Sequence, residues 1–288
     1  MFTHIEVITG PTASGKSALA TQRAKDDPSV EIVNADAFQL YQGFDIGTAK
    51  PSREIREKIP HHLIDILAPS IRYTAAEYSR VARETIRDIV ARGKTPIVVG
   101  GTGLYIDALF YGLSGIDISE DILEEARERY KEELHEHGFT KMFANLLTID
   151  PSLYKQIERE QNPIRMKRAY EHYYATGIPL GVAREDKPEP FEFAPKFTVI
   201  DIPREEIHRR IEERIGQMLA MGWIQEVEGL LRSGVTPDMP AMRAIGYREL
   251  ADVIAGKTTV ADARNTIVIR TRQYAKRQVT WMKRYKKG

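Results

Sequence analysis

Short apolar runs alternate with longer stretches of helical period along much of the chain. His4-Ile5-Glu6-Val7-Ile8-Thr9, Val30-Glu31-Ile32-Val33, His61 to Ile66, Thr95 to Val99 and Phe197 to Asp201 read as strands. Helical patterns fill the intervals: one from Ala18 to the Asp26-Asp27-Pro28 break, another from Ala75 to about Arg92, a third after Gly103. Thr74 is placed to cap the second of these and Gly93 to stop it. Strands alternating with helices predict an α/β fold with a mostly parallel sheet.

After Gly112 the strand signal stops. Asp117 to Glu136, Lys141 to Leu147, Pro151 to Arg159 and Ile164 to Thr176 all read as helices, the last closed by Gly177. Lys187-Pro188-Glu189-Pro190 reads as a linker before the strand at Phe197. A helical insertion over 116–195 is therefore expected inside a core formed by 1–115 and 196–288. From Pro203 the chain is helical to its end, through Arg204 to Met221, Trp223 to Leu231, a Pro-bounded loop at Thr236 to Pro240, and Thr258 to Tyr285.

Composition narrows the class. The chain has 288 residues, enough to bury a full α/β core, and its 42% hydrophobic and 29% charged content is ordinary for a globular protein. It has no cysteine, which excludes disulfides and thiolate metal sites. The first strand begins so early that no signal peptide is expected, and no apolar run approaches the roughly 20 residues of a membrane span. A cytoplasmic location is expected.

The formal net charge of +1 conceals an asymmetry. Asp117 to Glu136 carries nine acidic and three basic residues, the mark of a solvated helix face on which Glu125 and Arg129 would pair. From Arg264 to the terminus there are nine Lys or Arg and no acid. On the last helix Ile267, Thr271, Tyr274, Gln278, Trp281 and Tyr285 share one face, and Arg270, Gln273, Arg277, Thr280 and Arg284 the neighbouring one. Arginines recurring beside aromatics suit a polyanion such as nucleic acid better than bulk water.

The densest chemistry lies at Gly10-Pro11-Thr12-Ala13-Ser14-Gly15-Lys16-Ser17, which has the phosphate-loop spacing in its required strand–loop–helix setting. Glycines let successive N–H groups turn inward around phosphate oxygens, and the new helix adds unpaired N–H groups and the positive end of its dipole. Lys16 supplies a mobile charge, and the Ser17 hydroxyl is placed to ligand a Mg²⁺ shared with the phosphates. Asp36 follows the second strand, at the sheet edge where ligands of open α/β sheets sit. It is equally suited to act as a base or metal-water ligand and to cap a turn. Gly100-Gly101-Thr102-Gly103 aims a second glycine-rich turn at the same edge, bringing the Thr102 hydroxyl near the phosphates. The adjacent His61 and His62 point to opposite faces and so cannot easily share a metal.

The phosphate loop, the run from Asp36 to Lys50, and His61-His62-Leu63-Ile64-Asp65 resemble the bacterial tRNA dimethylallyltransferase family. So do Gly100 to Tyr105, Arg165 to Glu171, Arg243 to Arg248 and Thr271 to Trp281, collinear over essentially the whole chain. The resemblance implies a P-loop NTPase-like core with a helical insertion that grips the tRNA anticodon stem-loop. It implies transfer of a dimethylallyl group from dimethylallyl diphosphate to the 6-amino group of the adenosine just 3′ of the anticodon. The loop from Gly10 to Ser17 would then hold the diphosphate, with Lys16, Arg243 and Mg²⁺ on Ser17 sharing its charge and Thr102 bonding it near the bridging oxygen. Asp36 would take the amine proton, while Ala37, Phe38 and Gln39 would meet the extruded adenine. Arg165, Arg168, Gln273, Lys276 and Arg277 match the family's RNA-contacting segments, and the enzyme is expected to act as a monomer. The chain departs from the family pattern at Ala37, Gln42 and Gln161-Asn162. A small-molecule kinase using ATP would share the phosphate loop but has no use for the arginine-rich helix. A non-catalytic RNA-binding protein would share that helix but has no use for Asp36 and Thr102 beside a phosphate site.

Overall fold

The structure is a computed structural model that describes residues 4–113, 118, 120–185 and 189–286. It divides into two compact units, Met1–Tyr111 with Pro190–Gly288, and Gly112–Glu189. Asp117, Lys187 and Pro188 lie outside the described residues, as does the expected boundary at 116.

The first unit is built on five parallel strands, β1 (His4–Thr9), β2 (Val30–Asn34), β3 (His61–His62), β4 (Thr95–Gly100) and β5 (Ala194–Val199), in the order β3-β2-β4-β1-β5. Helices α1 (Lys16–Asp26), α2 (Arg53–Lys58), α3 (Ala75–Ala91) and α4 (Gly103–Tyr111) lie between the first four strands and the second unit in sequence. One core cluster packs Ile8, Val30, Ile32, Ile97 and Val99 of the sheet against Ala20 and Ala24 of α1. α3 buries Tyr78, Ala82, Ile86 and Ile89, and Thr74 with Glu77 forms a complete capping box at its start. The central strands β2 and, from Pro96 on, β4 are buried on both faces, which explains their largely apolar runs in the sequence.

Register decides where the chemistry falls. Thr9 of β1 pairs with Gly100 of β4, and Asn34 of β2 pairs with Val99. The turns that follow all three strands therefore leave the sheet side by side at one edge. Thr9 Oγ1 also donates to the Gly100 carbonyl at 2.9 Å, fixing the outgoing loops together.

The expected strand from His61 to Ile66 is cut to His61–His62. Leu63 (φ 59°) and Asp65 (φ 57°) both take left-handed backbone angles, which a strand cannot accommodate. The Leu63 carbonyl instead accepts from Asn34 Nδ2 at 2.9 Å. His61 Nδ1 bonds the Ile59 carbonyl at 2.7 Å and His62 Nε2 meets buried Glu31 at 2.6 Å, so the two histidines have separate partners.

The second unit is all helical: α5 (Glu120–Ile149), bent at Gly138 (φ 73°), α6 (Pro151–Ile157), α7 (Pro163–Thr176) and α8 (Leu180–Ala183). It has a core of its own, including Tyr130, Phe143, Leu146, Ile157, Met166 and Tyr170. Buried Asp150 joins its elements by accepting from Leu153 N and Gly181 N at 2.9 and 2.7 Å. Arg129 pairs with Glu133 at 3.1 Å and not with Glu125. Glu133 is already fixed by the Tyr174 hydroxyl at 2.5 Å, and the Arg129 guanidinium lies 4.1 Å from the centre of that same ring.

The first unit closes with α9 (Arg204–Ala220), α10 (Trp223–Arg232), a 3₁₀ turn Pro240–Arg243, α11 (Tyr247–Ile254), α12 (Val260–Met282) and a final 3₁₀ turn Lys283–Lys286. Among the described residues no helix is long and apolar enough to cross a membrane.

Candidate active site

The loop between β1 and α1 is shaped by its backbone. Ala13 (φ 62°) and Gly15 (φ 95°) both take left-handed angles, and Ser14 N donates to the Pro11 carbonyl at 3.2 Å. The first-turn N–H groups of α1, at Lys16, Ser17 and Ala18, have no intrahelical acceptor and are directed as a helix N-terminus offers them to an anion. Lys16 Nζ donates to the Pro11 carbonyl at 2.8 Å, so the ammonium is carried on the loop itself. Burial, opposed by the Asp36 carboxylate and aided by the Arg214 charge, lowers its pKa to about 8.

Asp36 combines both uses that its sequence position allows. Its Oδ1 accepts from Phe38 N at 3.0 Å, closing a local turn. Its N–H donates to Asn34 Oδ1 at 3.0 Å, and Asn34 Nδ2 returns a bond to the Asp36 carbonyl at 3.1 Å. The second carboxylate oxygen makes no hydrogen bond to a described residue, and the group faces Lys16 and Arg214 electrostatically.

Thr102 ties the second glycine-rich turn to the backbone on either side of Asp36. Its N–H donates to the Ala35 carbonyl at 3.2 Å, and its hydroxyl accepts from Ala37 N at 3.1 Å. The approach is so close that a Cβ on Gly100 would stand 2.1 Å from the Ala35 carbonyl oxygen. Tyr274 of α12 is close to the same turn, and burial together with the Asp36 charge pushes its phenol pKa up.

Lys16, Asp36 and Tyr274 open on one cavity of about 340 Å³, while Thr102 stands behind the Asp36 turn and is not part of the cavity lining. Thr12, Lys16, Ser17, Asn34, Asp36, Phe38 and Gln39 line it beside Arg214, Arg243, Arg270, Tyr274, Arg277 and Gln278. Ile211, Ile215, Met218, Trp223 and Ile267 complete it with an apolar wall. Gln39 is held by donating Nε2 to the Thr48 and Ala49 carbonyls at 3.1 and 3.3 Å. Behind it, the loop from Tyr41 to Lys50 is pinned from two sides. The Glu226 carboxylate accepts from Asp45 N and Ile46 N at 3.2 and 2.7 Å, and Lys50 Nζ bonds the Tyr41 carbonyl, Asp45 and Asp65. The Asp36–Lys50 and His61–Asp65 runs are thus one scaffold, paired through Lys50 and Asp65.

Arg243 is exposed at the end of its 3₁₀ turn and reaches the cavity wall. Gln273, Lys276 and Arg277 are exposed on α12. In the second unit, Arg165 and Arg168 are exposed on α7, with Arg184 near enough that their charges add to burial in lowering its pKa. The departures have structural roles: Gln42 Nε2 donates to the Asp65 carbonyl at 3.0 Å, and Asn162 Oδ1 caps α7 by accepting from Ile164 N and Arg165 N at 3.1 and 3.2 Å.

Arg214 belongs to no motif in the sequence. On α9 it lies among Ile207, Ile211, Ile215 and Met218, a single cation set into an apolar stripe. That interruption is the available signal, because a core-facing arginine needs an anion or a ligand beside it. Burial lowers its pKa and Asp36 opposes the shift. Among the described residues no group of three or more His, Asp or Glu is arranged to hold a metal.

A loop that presents helix N–H groups to a phosphate chain, with a carboxylate and several cations around one cavity, defines a group-transfer enzyme of the P-loop fold. The IPP transferase family model matches residues 39–285, and the chain belongs to that family. It is 41% identical over 285 residues to a tRNA dimethylallyltransferase of Geobacter sulfurreducens, covering 98% of this chain and 89% of that one. The structure of a tRNA delta(2)-isopentenylpyrophosphate transferase from Staphylococcus epidermidis is 38% identical, covers 97% of this chain and 90% of that one, and superposes with a TM-score of 0.67. A eukaryotic dimethylallyltransferase acting on tRNA, 29% identical, superposes with a TM-score of 0.79 over 97% of this chain and 70% of that one.

Proposed function

We propose that this chain transfers a dimethylallyl group from dimethylallyl diphosphate to the exocyclic 6-amino group of the adenosine 3′-adjacent to a tRNA anticodon, releasing diphosphate. The observation that carries the reading is the stitching of the Asp36 turn to the phosphate-loop edge through Thr102, which places a carboxylate and an anion cradle on one cavity. The near-full-length relatives favour this over a kinase.

In this reading the head of α1 and Lys16 bind the diphosphate, and Arg243 and Arg214, which line the same cavity, help to neutralise it. The allylic carbon–oxygen bond breaks with its electron pair leaving on the diphosphate, so stabilising that charge is the main electrostatic task. The adenine must leave its stack to enter, because a stacked base cannot present its amine. Phe38 and Gln39 receive it, and the new nitrogen–carbon bond forms as Asp36 takes the amine proton. The Thr102 hydroxyl steadies the diphosphate beside the bridging oxygen. Ser17, an exposed hydroxyl on the cavity beside the cradle, would hold a Mg²⁺, which would supply further positive charge to the departing diphosphate. Arg165 and Arg168 of the helical insertion and Gln273, Lys276 and Arg277 of α12 hold the anticodon stem-loop. The enzyme acts as a monomer in the cytoplasm.

The direct test against a kinase is consumption of dimethylallyl diphosphate or of ATP in the presence of tRNA. Only the former is expected, and phosphate transfer from ATP without prenyl transfer would reverse the reading.

Arg277→Ala is expected to weaken tRNA binding while leaving dimethylallyl diphosphate affinity unchanged. Removing the partner of one single-stranded phosphate lowers the slope of log affinity against log salt by roughly 0.7. Titrations at several salt concentrations check this; an unchanged slope removes Arg277 from the interface.

Donor affinity should also depend on pH. Lys16 is lowered to about 8, so its charge is present below that pH and lost as pH rises through it. The donor's terminal phosphate, with a pKa of about 6, is already ionised there. Affinity of the free enzyme is therefore expected to fall between about pH 7 and about pH 9.5, and a flat profile in wild type would contradict the Lys16 contact.

A further inference from the structure

Gln278 is on the buried side of α12, 5% exposed, and its amide is used at both ends. Oε1 accepts from Thr12 N of the phosphate loop at 2.8 Å. Nε2 donates to the Gly101 carbonyl of the second glycine-rich turn at 2.9 Å. The fit is exclusive to glycine, since a Cβ at position 101 would stand 2.2 Å from Gln278 Nε2. The register of α12 is fixed one turn further on, where a Cβ on Gly103 would meet the Trp281 indole at 2.2 Å and the Tyr285 hydroxyl donates to Asp107 at 2.5 Å.

The phosphate loop's own N–H groups show what this clamp does. Thr12 N is committed to Gln278 and Ser14 N to the Pro11 carbonyl. The N–H groups at the head of α1 are left for an anion. Gln278 therefore does not hold a ligand; it holds the loop that does. Its chemistry is also specific, because a side-chain amide offers one acceptor and one donor across this gap at any ordinary pH. Leucine would leave both loop groups unpaired, and a carboxylate would face the Gly101 carbonyl with like charge.

We infer that Gln278 is a positioning residue for the prenyl donor: it sets the phosphate loop for the diphosphate by clamping Thr12 to Gly101. This rests on the reading that the loop holds the donor's diphosphate. The same helix that exposes Gln273, Lys276 and Arg277 thus carries the clamp on its buried side.

The test measures the Kd of dimethylallyl diphosphate, the Kd of tRNA and the melting temperature for wild type, Lys16→Ala, Gln278→Leu and Gln278→Glu. Losing both hydrogen bonds in Gln278→Leu should raise the donor Kd about tenfold and leave the tRNA Kd unchanged. Gln278→Glu supplies a readout that mere loss of packing would not move. Its protonated carboxyl can again accept from Thr12 N and donate to the Gly101 carbonyl. Its defect relative to wild type should therefore shrink as pH falls from about 8 to about 6, since burial raises a carboxyl pKa. A wild-type donor Kd in Gln278→Leu, or a Glu-variant defect constant across pH, overturns the inference; if the Leu variant does not fold, the Glu profile decides. Wild-type protein that fails to bind the diphosphate removes the donor reading itself. Binding that is lost in Lys16→Ala but intact in Gln278→Leu removes only the role of Gln278.

Discussion

Asp36→Asn is expected to lower the single-turnover rate of prenyl transfer about 10²–10⁴-fold, the span for a positioned general base. The adenine amine is a poor nucleophile because its lone pair is delocalised into the ring. An acceptor on its N–H helps as positive charge develops on nitrogen. Asn keeps the size of Asp, and its Oδ1 can still accept from Phe38 N, so the turn that shapes the site survives. What is lost is the charge and the basicity of the second oxygen. Binding of tRNA should persist, and donor binding should hold or tighten, because Lys16 and Arg214 lose the anion they face. A retained rate with weakened tRNA affinity would make Asp36 a positioning group, with the proton leaving to water or to the diphosphate.

Lys16→Ala is expected to reduce prenyl transfer about 10²–10³-fold, the cost of removing one preorganised donor from a developing charge. Its ammonium rides on the Pro11 carbonyl, within the loop that also supplies the N–H groups. The charge therefore arrives already oriented, with no reorganisation needed as the diphosphate departs. The substitution removes a group that burial destabilises, so the fold should not suffer, and tRNA affinity should stay within about twofold because the exposed cations of α12 and α7 proposed to hold the RNA are untouched. Near-normal turnover, measured in single-turnover reactions with saturating tRNA, would take the phosphate loop out of the mechanism.

What could be read in the sequence was local. The loop from Gly10 to Ser17 declares itself through fixed spacing between a strand and a helix, and Asp36 through its place at a strand's end. Capping at Thr74 and helix stops at Gly93 and Gly177 follow from short-range backbone rules, and the structure has them. The misreadings come from tertiary competition. The strand at His61 reads as longer because Leu63-Ile64 is apolar, yet Asn34, Leu63 and Asp65 fold that segment back toward the Asp36 turn. Arg129 chooses Glu133 over Glu125 because Tyr174, far along the chain, has already fixed that carboxylate. Arg214, Tyr274 and Gln278 reach the cavity from α9 and α12, and no spacing within either helix says which strand loop it will meet.

The central claim is tested most directly by mass spectrometry of nucleosides from unmodified tRNA incubated with the purified protein, dimethylallyl diphosphate and Mg²⁺. One adenosine, 3′-adjacent to the anticodon, should gain the mass of a single five-carbon prenyl unit, with one diphosphate released for each. Asp36→Asn and Lys16→Ala should lose that product while the tRNA stays bound. Unmodified tRNA after prolonged incubation, or prenyl added at any other position, would contradict the account.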